Sequence, residues 1–177
     1  MEYTGVYSSP LGELLLACGA SGLTGLWFVG GKYFARGLDP VHEERETPVL
    51  AETRRWLDIY FSGRRPDFTP PLHPSGTAFQ RQVWTLLGEI PYGSTAAYRD
   101  LAAKIAAARG LERMSAQAVG GAVSRNPISI LIPCHRVVGA DGSLTGYAGG
   151  LDRKAALLAW EGAGPGRPRI PETGMTP

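Results

Sequence analysis

An α+β fold is predicted for this 177-residue chain: a three-stranded antiparallel sheet with one helix, then a helical half containing a helix-turn-helix. Three observations predict it. Short apolar runs separated by Gly and Pro turns fill residues 3–28, apolar residues at helical spacing dominate from residue 48 onward, and a Pro/Gly-rich stretch at 64–76 separates the two patterns.

Residues 3–8 and 13–18 flank Pro10-Leu11-Gly12 and read as a hairpin, with Leu23 to Phe28 as the third strand after the Gly19–Gly22 turn. Cys18 falls at a strand end, where a buried structural thiol is expected. Thr47 is a good helix N-cap, and Pro48 is tolerated at the first helical position because that N–H has no intrahelical partner. Leu50, Thr53, Trp56, Leu57, Tyr60 and Phe61 then repeat at helical spacing until Gly63. The expected organisation is an N-terminal α/β domain over 1–75, a C-terminal domain over 76–165 and a disordered tail over 166–177.

Thr77 and Gln80 fit a capping box for a helix whose buried face is Phe79, Val83, Leu86 and Leu87. Pro91-Tyr92-Gly93 turns the chain, and Ser94 or Thr95 is expected to cap the next helix, with Tyr98, Leu101, Ile105 and Ala108 along one side and Gly110 at its end. Ser115 caps a shorter helix from Ala116 to about Ser124, ended by Asn126-Pro127. The pair is compatible with a helix-turn-helix, a weak signal alone because most helical hairpins bind no DNA. Ala116, Ala118, Gly120, Gly121 and Ala122 leave the shorter helix nearly bare. Adjacent interior glycines cost roughly 1 kcal/mol each relative to alanine. Something must approach the backbone closely, either another helix or a nucleic-acid strand. Asp152 is expected to cap a last helix that ends near Trp160-Glu161-Gly162.

Composition bounds the function. No apolar run approaches the roughly 20 residues of a membrane span, and the start lacks the basic and apolar regions of a signal peptide, so a cytoplasmic protein that makes no membrane contact is expected. Two cysteines point to a reduced compartment rather than a disulfide scaffold. No metal site is expected; one built across the chain from Cys18, His42 and His73 is the weaker alternative. Residues 1–75 carry seven basic against nine acidic side chains, and 76–177 carry eleven against seven, so the second half is modestly basic, as for a short contact with a phosphate backbone.

Pro133-Cys134-His135-Arg136 concentrates the features of an activated thiol, because a neighbouring His or Arg favours the thiolate. In an extended strand Cys134 and His135 would point to opposite faces. Either the chain turns at Pro133-Cys134 or a water bridges thiol and imidazole. A third group must orient the imidazole, and Glu161 is the acidic residue placed for it.

Ile132-Pro133-Cys134-His135-Arg136-Val137-Val138 resembles the active-site motif of the O6-alkylguanine-DNA alkyltransferases. Phe79 to Trp84, Ile90-Pro91-Tyr92-Gly93, Ala118 to Val123 with Asn126-Pro127, Gly146-Tyr147 with Gly149-Gly150, and Glu161-Gly162 are similar to further motifs of that family. Ser9-Pro10-Leu11-Gly12 resembles its N-terminal hairpin. The resemblance implies a ribonuclease H-like N-terminal domain and a winged-helix-like C-terminal domain. It also implies single-turnover repair of O6-alkylguanine in duplex DNA, with O4-alkylthymine a second candidate lesion, by a monomer that needs no cofactor. Cys134 would accept the alkyl group, activated through a water by His135, with Glu161 holding the imidazole. Tyr98 would donate to the guanine ring nitrogen, Asn126 would brace the turn before Cys134, and Tyr147 would pack over the flipped base. The carbonyls of Cys134 and Val137 and the N–H of Ala148 would read the base edge, with Val123 and Ser129 completing the pocket. DNA contacts are expected from Arg113, Ser115, Ala116, Gln117, Gly120, Gly121, Ser124 and Arg125.

Gln117 departs from the family, which places an arginine there to fill the gap left by the flipped base; Arg113 or Arg125 are candidate substitutes. The connection from Ala106 to Met114 is longer than usual. Three other readings stand beside this one: a non-catalytic alkyl-lesion binder, which would lack the acceptor cysteine; a cysteine hydrolase using His42 or His73 as base; and a redox- or metal-sensing DNA-binding protein, which needs Cys18 close to Cys134.

Overall fold

The computed structural model describes residues 1–163, so the expected tail lies outside the described residues. Strands β1 (Glu2–Ser9), β2 (Gly12–Gly19) and β3 (Gly22–Phe28) form the antiparallel meander expected from the turns. The sheet has a fourth strand the pattern did not announce. β4 (His42–Glu44) pairs parallel to β1, giving the order β3-β2-β1-β4; its three residues are all exposed, so no apolar alternation marks it. Helix α1 (Pro48–Phe61) starts at the Thr47 cap, whose side chain accepts from the Leu50 N–H, and buries Leu50, Thr53, Trp56, Leu57 and Tyr60.

The free edge of β3 is covered by two later segments, one from the Pro-rich connector and one from the second half of the chain. Leu23 exchanges hydrogen bonds with the Pro71–His73 stretch, and the Leu26 N–H donates to Pro127 O at 2.8 Å while the Ser129 N–H donates to Leu26 O at 2.9 Å. The Pro-rich connector is therefore bonded to the sheet, and the run leading to Cys134 is anchored on β3.

In the second half, α2 (Ala78–Leu87) has the full capping box of Thr77 and Gln80. Helix α3 (Tyr98–Ala108) begins later than the Ser94/Thr95 cap expected from sequence. Its N-cap is Ala97, because residues 96–97 form strand β5, which pairs in parallel with β6 (Val137–Val138). Asp100 compensates by accepting from the Ala97 N–H. Helix α4 (Ala116–Ser124) is capped by Ser115, and α5 (Leu151–Trp160) by Gly150 at φ 96 rather than by Asp152, which lies in the first turn. One continuous apolar core runs from Leu14 and Leu50 through Val83 and Leu101 to Val119, Ile128 and Leu157. No helix among the described residues is long and apolar enough to cross a membrane.

Candidate active site and nucleic-acid interface

Cys134 opens a 3-10 turn (Cys134–Arg136), not a strand, so the chain does turn at Pro133-Cys134, but the turn alone makes no hydrogen bond between thiol and imidazole among the described residues. Pro133 has φ −82 and ψ 64, an inverse γ-turn closed by the Cys134 N–H donating to Ile132 O at 2.8 Å. Asn126 grips the same segment. Its Nδ2 donates to Ile128 O and to Ile132 O (3.2 and 2.8 Å), and its Oδ1 accepts from the Ile128 N–H at 2.9 Å. Ile130 takes φ 70 inside this braced segment, with the Leu131 N–H bonded to Ser129 O at 2.8 Å. A β-branched residue at that φ is strained and persists only where the surroundings over-determine it.

Behind the thiol lies a buried ionic chain. The His135 Nε2–H donates to Glu161 Oε2 at 2.7 Å, Arg136 Nε donates to Glu161 Oε1 at 2.7 Å, and the Tyr60 hydroxyl donates to Glu161 Oε2 at 2.6 Å. Burial works against the Glu161 charge, but His135 and Arg136 outweigh it and hold the carboxyl down at about 2. A carboxylate accepting at Nε2 places the imidazole proton there. His135 Nδ1 is then the basic nitrogen, and it is buried with no hydrogen-bond partner among the described residues. Burial pushes His135 below the ordinary imidazole range and pushes the Cys134 thiol up, the latter opposed by Asn126 and the Lys154 charge. The resting pair is a neutral thiol beside a neutral imidazole.

Cys134 is 6% exposed and forms the floor of a cleft of about 230 Å³. Tyr98, Gly120, Val123, Ser124, Tyr147 and Ala148 line it, so seven predicted site residues from four segments converge. The β5–β6 pairing brings Tyr98, the first residue of α3, alongside Cys134. The N–H of Ala148 is engaged by no hydrogen bond among the described residues, while its carbonyl accepts from the Lys32 N–H. Tyr147 packs edge-on to the His135 ring with centroids 6.5 Å apart, and Ser129 approaches its buried hydroxyl without a hydrogen bond of ordinary geometry. Val137 is fully buried in β6 rather than lining the cleft; its N–H already occupies the Cys134 carbonyl. Ser129 lines a neighbouring cleft instead.

Ser115, Ala116, Gln117, Arg113 and Arg125 are exposed, and Gly120, Gly121 and Ser124 are half-buried along α4. Its two sides differ. The buried side packs closely enough for Trp84 Nε1 to donate to Ala122 O at 2.9 Å. At Gly120 and Gly121, however, a Cβ would meet only the Tyr98 ring at 3.7 Å or the Arg125 guanidinium at 3.6 Å, ordinary contact distances. No neighbour among the described residues demands those glycines. The open face therefore favours the nucleic-acid account of the bare helix over the helix-packing one.

Tyr60 and Lys154 escaped the sequence reading, and Arg136, read there as a neighbour of the thiol, serves Glu161 instead. Tyr60 and Arg136 complete the Glu161 cradle, and Lys154, fully buried, donates to Thr145 O and Gly146 O at 2.8 and 3.1 Å in the loop that walls the cleft. Thr145 O also accepts from the Tyr98 hydroxyl at 3.4 Å. Burial lowers the Lys154 amine to about 8, against the pull of Cys134. A lysine on the apolar face of an amphipathic helix was the available signal for it. Cys18 faces Thr47 Oγ1 at 3.2 Å, and no group of metal-binding side chains forms among the described residues, so Cys18, His42 and His73 are not brought together.

Comparison with known proteins agrees with this geometry. Residues 78–163 match the model of the 6-O-methylguanine DNA methyltransferase DNA-binding domain, and residues 3–74 match that of its ribonuclease-like domain. A methylated-DNA–protein-cysteine methyltransferase of Methanosarcina acetivorans is 44% identical, covering 91% of this chain and 99% of its own. The constitutive one of Bacillus subtilis is 39% identical over 89% of this chain and 93% of its own. The Mycobacterium tuberculosis OGT, solved in complex with DNA, superposes with a TM-score of 0.77 at 38% identity, covering 92% of this chain and 95% of that one. With both halves matched, the chain belongs to the 6-O-methylguanine DNA methyltransferase family.

Proposed function

We propose that Cys134 is the acceptor of an alkyl group taken from O6 of guanine in duplex DNA, once per protein molecule. The protein acts in DNA repair by alkyl transfer, as a methyltransferase whose partner is DNA; the acceptor, the lesion and the steps below are our reading. The observation that carries it is the buried Glu161–His135 pair, which leaves Nδ1 as the basic nitrogen in the residue next to a thiol that lines a cleft of about 230 Å³.

An alkyl carbon inside a stacked duplex cannot be attacked in line, so the nucleotide must rotate into the cleft. The thiol proton passes through a bridging water to His135 Nδ1, and Glu161 stabilises the resulting imidazolium. The thiolate attacks the alkyl carbon, the S–C bond forms as the C–O6 bond breaks, and the electron pair leaves on guanine. Tyr98 donates a hydrogen bond to the ring nitrogen and so eases departure of the guanine anion, which takes a proton from solvent while the imidazolium returns its own to solvent. The thioether has no ordinary leaving group, so the thiol is not regenerated. Asn126 holds the turn that aims Cys134, Tyr147 covers the base, the Ala148 N–H reaches O6, and the open face of α4 lies along the DNA. The reaction needs neither a second subunit nor a membrane, and we place it in a cytoplasmic monomer.

The test is incubation with duplex DNA containing O6-methylguanine, followed by digestion and mass spectrometry. One added methyl on the Cys134 peptide is expected. DNA bound tightly with Cys134 unmodified would instead establish a lesion binder, and modification elsewhere would remove Cys134 from its role.

A further inference from the structure

Three cations converge on one aromatic ring beside the Cys134 cleft. Residues 29–38, between β3 and β4, form successive tight turns closed by Gly31 N–H to Phe28 O (3.0 Å), Arg36 N–H to Tyr33 O (3.0 Å) and Leu38 N–H to Ala35 O (3.1 Å). Tyr33 and Ala35 hold φ of 60 and 56, a left-handed conformation unfavourable for residues bearing a Cβ. Such strain persists only where the surrounding structure over-determines it, and it clusters at ligand-binding sites. Here it sets the Tyr33 ring among Lys32 Nζ at 5.1 Å and the guanidinium carbons of Arg36 and Arg125, each at 5.3 Å from the centroid.

Lys32 and Arg36 belong to the N-terminal half, and Arg125 caps the C-terminus of α4. None of the three pairs with a carboxylate among the described residues; the ion pairs there join other groups. Cation–π attraction to a single ring offsets only part of the repulsion among three positive charges. An anion seated between them removes it. A cleft of about 140 Å³ lies among these side chains, bounded also by Ser129, Ala148 and Gly149. Ala148 borders the Cys134 cleft as well, and its carbonyl accepts from the Lys32 N–H at 2.8 Å, so one peptide unit separates the two clefts.

We propose that this cleft binds a backbone phosphodiester of the DNA strand whose base enters the Cys134 cleft, so that both halves of the chain grip the DNA. The proposal rests on the alkyl-transfer reading for the position of that strand. Arginine forks match phosphate oxygens, and the ammonium of Lys32 adds a point charge. Such a contact holds the backbone near the rotated nucleotide without reading sequence.

The experiment measures the affinity of the full chain for undamaged duplex across a salt series, in wild type, Lys32→Gln/Arg36→Gln and the charge-keeping Lys32→Arg/Arg36→Lys. Losing one neutralised phosphate lowers the slope of log affinity against log salt by about 1. The glutamine pair is expected to show that drop with weaker binding at low salt, while the charge-keeping pair keeps the slope and both transfer methyl from free O6-methylguanine base at the wild-type rate. An unchanged slope in the glutamine pair overturns the proposal. So does inorganic phosphate saturating the cleft without weakening DNA binding, which would make it a free-phosphate site. Because salt slopes need no transfer, a wild type that binds DNA yet leaves Cys134 unmodified would remove the alkyl-transfer reading separately.

Discussion

Tyr60 and Glu161, 101 residues apart in sequence, meet through a buried hydrogen bond of 2.6 Å, so the N-terminal helix α1 helps to hold the carboxylate that orients His135. Trp160, next to Glu161, donates from Nε1 to the Tyr60 carbonyl at 3.0 Å and fixes the same junction. The N-terminal half thereby helps to hold the site we propose.

Tyr60→Phe keeps the ring, which stacks on Trp56, and removes one of the donors to a buried carboxylate. A hydrogen bond to a charged group contributes roughly 1.5–3 kcal/mol. The melting temperature should fall, and single-turnover methyl transfer should slow several-fold as the imidazole loosens. An unchanged rate would show that Tyr60 serves stability alone.

Acid should destabilise the protein in two stages. His135 is lowered from 6.5 in the fold, so the unfolded chain binds more protons and stability declines as pH falls below about 6.5. Glu161, lowered from 4.5 to about 2, contributes stability that is complete above 4.5 and is lost as pH falls toward 2. That second stage is on the order of 3 kcal/mol. Urea midpoints from pH 7 to 3 should trace both. In Glu161→Gln the protein should be weaker at neutral pH, with the decline below 4.5 largely gone; an equally steep decline would place the acid sensitivity elsewhere.

Lys154→Met removes the ammonium that holds the Thr145 and Gly146 carbonyls and attracts the Cys134 thiolate. Alkylation of Cys134 by iodoacetamide, which needs no DNA, should shift its pH profile upward, and transfer from DNA should fall at least about tenfold, as expected when a supporting contact misplaces a reacting group. Lys154→Arg should restore part of both. A slower transfer with an unshifted thiol profile would limit Lys154 to shaping the loop.

Asn126→Ala leaves the Ile132 carbonyl with one donor fewer and the Ile128 N–H with none in a buried segment. Each orphaned buried group costs about 1–3 kcal/mol. Chemical denaturation should register a loss of that size, with thiol reactivity impaired because the Pro133 turn is no longer braced.

Gln117 stands exposed near the start of α4. Gln117→Arg supplies the cation and planar surface suited to the base stack. Transfer from duplex DNA should accelerate while transfer from the free base stays constant. Equal duplex rates would mean that another group, Arg113 foremost, already fills the space.

The local elements of this protein were legible because their signals are local. Thr47-Pro48, the Thr77/Gln80 box and Ser115 define helix starts through bonds that span three residues, and the hairpin turn at Pro10 to Gly12 is equally short-range. Cys134, His135 and Glu161 were readable from motif chemistry and from their resemblance to a known family. What failed from sequence failed for one reason. Ala97 replaced Ser94 or Thr95 as the cap because β5 pairs with β6 some forty residues on, and β4 is a strand only because β1 offers it an edge. Pairing partners distant in the chain leave no periodic trace in either segment. Tyr60, Arg136 and Lys154 acquire their roles in the same way, through buried charges whose counter-groups arrive from other elements. The sequence by itself singled out the thiol, imidazole and carboxylate to which we assign the chemistry. Only the tertiary structure decided their protonation, because burial and long-range hydrogen bonds set which nitrogen of His135 is basic and how firmly Glu161 stays charged.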